Sequence, residues 1–151
     1  MMARKWEIKG MKELERSFKK LGKVPTSVAS KSARAGARIA YKDAKANAPE
    51  DTGELKRGIV LRRGKFRRRV PGRAVYNVMM DPAKNHIFVK ETKDGKRYYY
   101  PTSQEYGFMT VDGKYIPGYR FMRRAIDDNE EKIRRRVLEV AMKEVDKALK
   151  G

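Results

Sequence analysis

Ala48-Pro49-Glu50-Asp51-Thr52-Gly53-Glu54-Leu55-Lys56-Arg57-Gly58-Ile59 divides this chain into parts of different character. Pro49 has no N–H to donate and disfavours helical geometry at Ala48, so a helix arriving from the N-terminal side must stop here. Ile59-Val60-Leu61 then opens a β-branched, apolar run that reads as a strand. Glu50, Asp51 and Glu54 lie close enough in sequence to hold a cation or to serve acid–base chemistry. The simpler role is at a turn and helix start. Asp51 or Thr52 caps the N–H groups of a short turn beginning near Gly53, and Glu54 adds favourable charge there.

Working outward to the N-terminal side, residues 25–46 read as one long helix. Val28, Ala35, Ile39 and further alanines form its apolar stripe, and small side chains allow close approach of a neighbour. Before it, Met11, Leu14, Phe18 and Leu21 recur at helical spacing over 11–21, and Trp6-Glu7-Ile8-Lys9 alternates like a short strand. On the C-terminal side, residues 74–79, Ile87-Phe88-Val89 and Arg97-Tyr98-Tyr99-Tyr100 are strand-like. Asp94-Gly95 and Asp112-Gly113 mark turns. The continuation from Tyr100 to Gly107 fits either helix or strand. Residues 119–149 carry apolar side chains at near-helical spacing, with a break expected near Asp127-Asp128-Asn129. The expected fold class is α+β: a small, mainly antiparallel β-sheet against two long helices plus a short N-terminal helix. The whole of 1–151 is expected to form a single domain.

Lys and Arg number 38 against 19 Asp and Glu, a formal net charge of +19. Such a chain repels its own copies and attracts polyanions: nucleic acid, an acidic protein surface or an anionic membrane. With no cysteine, disulfides and thiolate metal sites are excluded. No apolar run approaches the roughly 18 residues of a membrane span, and the basic N-terminus is not followed by the apolar region of a secretory signal.

Nine basic residues and no acidic one lie between Leu55 and Met80. Arg62, Arg63, Lys65, Arg67, Arg68, Arg69 and Arg73 are concentrated in 62–73, where Gly64, Pro71 and Gly72 indicate a loop or the tip of a long hairpin. Arginine binds phosphate bidentately, so this segment either faces DNA or another polyanion, or is a solvated loop that meets an acidic neighbour. Specific base readout is not expected, since zinc-finger spacing, a helix-turn-helix pattern and aromatic RNA-binding signatures are all missing. His86, the one histidine, reads as structural or exposed. No phosphate-binding glycine loop, nucleophile elbow or metal cluster is legible, so no catalytic residue, cofactor or metal is expected and the chain does not read as an enzyme.

Three motifs follow one another in order. The first is the 48–59 segment after its Ala-rich helix, with Pro49, Asp51, Thr52, Gly53, Leu55 and Ile59 as its marks. The second is Glu105-Tyr106-Gly107. The third is Arg120-Phe121-Met122-Arg123-Arg124-Ala125, centred on Phe121. Together they resemble the tail-completion, or head–tail joining, family of long-tailed (siphovirus-type) phages and prophages. That family shows Ala-Pro-x-Asp-Thr-Gly-x-Leu-x-x-Ser-Ile, then Glu-Phe-Gly, then Pro-Phe-Leu-x-Pro-Ala. This chain departs from it at Gly58 (for Ser), at Tyr106 (for Phe), at Arg120 and Arg124 (for the two prolines) and in its more heavily charged 62–73 loop. The resemblance implies a non-enzymatic structural protein of the virion neck, made in the bacterial host cytoplasm. It further implies a homo-oligomeric ring of six around the DNA channel. Its implied partners are the tail tube or tail terminator, the head-side connector or stopper and the passing DNA, with no membrane involved. The alternative from charge alone is a sequence-nonspecific nucleic-acid-binding protein.

Overall fold

A computed structural model of the chain describes residue 22, residues 24–68 and residues 70–150. The expected strand at 6–9 and helix at 11–21 lie outside the described residues.

The long helix is α1, Val24–Asn47. Pro25 sits in its first turn, where a missing N–H costs nothing, and Pro49 follows its end. Its buried line runs through Ser32, Gly36, Ala40 and Ala44 at intervals of four and continues to Ala48 just past its end. Ala35 and Ile39, expected on the stripe, lie on its half-buried flank. The line shifts because the opposing helix approaches at Gly36. A Cβ built there would stand 2.5 Å from Val137 Cγ2, so only glycine admits that contact. Ser32 is buried without cost because its hydroxyl donates to the Val28 carbonyl at 2.7 Å.

The chain then forms a one-turn helix α2, Glu54–Gly58, and strand β1, Ile59–Arg63. β1 pairs antiparallel with β2, Tyr76–Met80, with Ile59 opposite Met80 and Arg63 opposite Tyr76. A 3-10 turn at Pro82–Lys84 leads into α3, Asn85–Phe88, and β3, Val89–Glu91. Ile87 and Phe88 are therefore helical, not part of the expected strand, which starts only at Val89. The Asp81 carboxylate accepts from Ala83 N–H and starts the turn, and the turn points Phe88 into the core, where it is 1% exposed. β3 pairs with β4, Arg97–Tyr99, and Tyr100 already belongs to α4, Tyr100–Tyr106. The open question over 100–107 is thus resolved as a helix, with Pro101 in its first turn. β5, Gly107–Met109, pairs with β6, Tyr115–Pro117. Among the described residues the strands are antiparallel, as expected, and they divide into three two-stranded ladders instead of sharing one sheet.

Helix α5, Phe121–Asp127, and helix α6, Glu130–Lys150, complete the chain. The expected break between them is present. Asn129 donates its side-chain amide to the Ala125 carbonyl at 3.0 Å, and its own carbonyl accepts from Ile133 N–H at 2.8 Å. It thus closes one helix and opens the next. Glu130 and Glu131 stand in the first turn of α6, and Lys147 and Lys150 in the last, as the helix dipole favours. α6 lies antiparallel to α1, placing Lys31 Nζ 2.6 Å from Glu144 Oε2. The described chain is α+β, with a core of Ala44, Ala48, Leu55, Ile59, Phe88, Phe121 and Ala125.

Candidate functional site

The basic segment is a hairpin. Arg62 and Arg63 end β1, Gly64 N–H extends the ladder by bonding the Val75 carbonyl at 2.8 Å, and residues 64–75 turn the chain back. The tip is Val70-Pro71-Gly72-Arg73, closed by Arg73 N–H to the Val70 carbonyl at 3.2 Å with Gly72 at φ 76°. Proline followed by a glycine of positive φ is the pattern of a type II turn. Two contacts fix the hairpin to α1. Tyr76 and Ser30 share a hydroxyl hydrogen bond of 2.9 Å, and Gly72 N–H reaches Thr26 Oγ1 at 3.3 Å.

The cations on this hairpin are not equivalent. Arg62 is paired to Asp81 at 2.7 Å and is thereby spent at the hairpin base. Arg73 lays its guanidinium over the Phe66 ring, 4.4 Å from the centroid. Arg63, Lys65, Arg67 and Arg68 are exposed and make no ion pair among the described residues. Arg69 lies outside them. The free charge therefore concentrates along 63–68, beside the turn. Asp81 is the residue that sequence reading missed, since its partner is 19 positions away.

The motif residues behave differently. Leu55 is 2% exposed and Ile59 fully buried, and both join the core. Pro49 is half-buried, and Asp51 and Thr52 are exposed. The capping expected of Asp51 or Thr52 is largely replaced. Thr52 Oγ1 approaches Glu54 N–H only at 3.5 Å, Asp51 makes no hydrogen bond among the described residues, and the cap position is Gly53 at φ 76°. Arg57 does the bracing instead. Its guanidinium donates to the Thr52 carbonyl at 3.0 Å and pairs with Glu54. The Arg57 hydrogen bond holds the Glu54 carboxyl below its ordinary pKa, and the Lys56 hydrogen bond does the same for Glu50. Two of the three clustered carboxylates are thus neutralised locally, which leaves the cluster a brace for the turn.

Glu105 is 7% exposed, and its two oxygens accept from Met122 N–H at 2.9 Å and Arg123 N–H at 3.0 Å. It caps α5 from a distance. Gly107 at φ 87° lies so near Gly118 and the Ile116 carbonyl that a Cβ would stand 2.2 Å from that oxygen. The second motif therefore holds the third, and Phe121 of the third lies in the same core as Leu55 and Ile59 of the first. The departures also have local explanations. A Cβ at Gly58 would fall 2.3 Å from Phe88 Cζ. Arg120 has φ 52°, which proline cannot adopt. Tyr106 is exposed, as is His86.

A protein-family comparison finds that the model of the HK97-gp10_like family, described as "Bacteriophage HK97-gp10, putative tail-component", matches residues 12–99. The chain belongs to this family. The matched segment is more than half of the 151 residues and takes in the 48–59 motif and the whole basic hairpin. A tail component is a part of the virion, where it contacts other tail proteins. No curated protein and no solved structure matches the chain significantly. No helix among the described residues is long and apolar enough to cross a membrane.

Proposed function

We propose that this chain is a structural, non-enzymatic protein of the phage neck. In this reading it completes the tail and joins it to the head-side connector as an oligomeric ring around the DNA channel. Membership of the tail-component family, through a segment that includes the basic hairpin, carries the reading. The single domain contributes its fold as scaffold and its surface as function. Motif residues hold the core, and the exposed cations of 63–68 face either the DNA or an acidic surface of a neighbour. A ring subunit needs two unlike surfaces toward its neighbours. Its lumen should hold DNA loosely, and exposed, separately solvated arginines suit that better than a preorganised pocket.

The +19 charge and the exposed hairpin favour a second reading, a sequence-nonspecific nucleic-acid-binding protein. The two separate on one comparison. At physiological salt the neck reading expects the purified chain to bind purified tails or connector rings and to bind free duplex DNA weakly. Tight duplex binding without either neck partner would establish the second reading. Arg67→Gln with Arg68→Gln should lower the steepness of any DNA affinity against log salt by about 2, since each phosphate contact contributes roughly 0.9. In phage, the same variant should yield fewer joined particles or poorer genome passage. Normal infectious yield would remove the hairpin from the proposed function.

A further inference from the structure

Two apolar features of the described surface are complementary in shape; the first lies beyond the family-matched segment, and the second is built partly from residues inside it. The first projects. In the β5–β6 hairpin, Phe108, Met109 and Tyr115 are about half exposed or more, and Val111 at the tip is 100% exposed. Among the described residues β5 and β6 pair only with each other, so both outer edges keep backbone groups outside any ladder there. A two-stranded hairpin of this size is marginal alone in water, and clustered apolar side chains at such a tip mark an interaction site. The second is concave. An open groove of about 600 Å³ runs between β2, α4 and α5, walled by Met79, Met80, Tyr99, Met122 and Ile126.

The geometry points to head-to-tail self-association, in which the β5–β6 hairpin of one copy seats in the β2–α5 groove of the next. The inference rests on the ring reading above and names its contact. Charge selects the occupant. In a chain of +19, most approaches between copies are repulsive. The hairpin tip carries only Asp112 and Lys114, which cancel, and the groove rim carries Arg123 paired with Asp127 at 3.2 Å. Tip and rim each present one cation and one anion, so Lys114 meets Asp127 and Asp112 meets Arg123 without net repulsion. Full exposure of Val111 shows that the tip does not occupy the groove of its own chain. Unlike surfaces on one subunit are what a closing ring requires.

The chain has no cysteine, so introduced thiols report without background. Full-length Val111→Cys and Ile126→Cys variants, mixed and treated with a short bismaleimide, should give a cross-linked dimer well above either variant alone. The double variant should give a ladder of covalent multimers. Val111→Asp should weaken self-association at least tenfold by sedimentation while leaving circular dichroism and melting unchanged, because the side chain touches nothing in the free subunit. Oligomers that form without this cross-link would overturn the contact and leave the ring standing. A chain that stays monomeric at all concentrations also overturns the contact, and its binding to purified tails then decides the ring separately.

Discussion

Glu105 shows what one buried carboxylate does for this fold. Its oxygens satisfy the second and third amides of α5, those of Met122 and Arg123, 17 and 18 residues further along, and so tie the start of the last helical pair to the end of α4. Removing it leaves buried N–H groups without acceptors, which costs roughly 1–3 kcal/mol. Glu105→Ala should therefore lower the unfolding free energy by that amount, read in urea as a lower midpoint at unchanged slope, and Glu105→Gln, which keeps one acceptor, by less. A loss within about 0.5 kcal/mol for the alanine variant, the range of an ordinary surface change, would show that the cap is dispensable. The resemblance marked Glu105 and Gly107 in the sequence, but their roles were not legible there. Each depends on a partner brought close only by folding: Met122 for the carboxylate, Gly118 and Ile116 for the glycine. Gly58 is similar, since nothing in its neighbours along the chain announces the Phe88 ring above it.

Elements long enough to show a period were legible, and short ones were not. α1 and the α5–α6 break follow from alanine spacing, Pro49 and the polar residues at 127–129. α3 was hidden because Ile87 and Phe88 favour strands by type, whereas the Asp81-started turn and the need to bury Phe88 set the backbone. α4 was ambiguous because seven residues give no clear period, and Pro101, which halts a helix from within, starts one from its first turn. Between elements, the α1–α6 contact has a titratable clasp. The Lys31 hydrogen bond holds the Glu144 carboxyl below its ordinary value of 4.5. A carboxyl lowered by folding contributes stability above its unfolded pKa and loses it as pH falls through the folded value. Melting temperature should thus fall on acidification from pH 7 toward 3, and Glu144→Gln should fall less steeply than the parent. Identical acid limbs would show that the clasp carries no folding energy.

For the molecule as a whole, most of the surface is charged and the fully buried apolar core is small, with none of the fully buried residues on α6. The candidate site was legible as charge and only as charge. The 62–73 arginines could be counted, but which of them were already engaged depended on Asp81 and Phe66, and the β5–β6 tip and its groove needed the assembled helices to be seen. The Asn129 junction has a consequence for how the molecule opens. α6 can leave by withdrawing Ile133 and Val137 from Gly36 and releasing Glu144, without exposing Phe121, Phe88 or Ile59. With no fully buried residue of its own, it is expected to open at lower free energy than global unfolding. In native-state hydrogen exchange, α6 amides should exchange through a partial opening little affected by low denaturant. Amides around Ala44 should exchange only with the whole molecule. One common exchange free energy for both helices would mean that the fold opens as a single piece. If they differ, the last helix is a latch that the free subunit can release before it meets its partners.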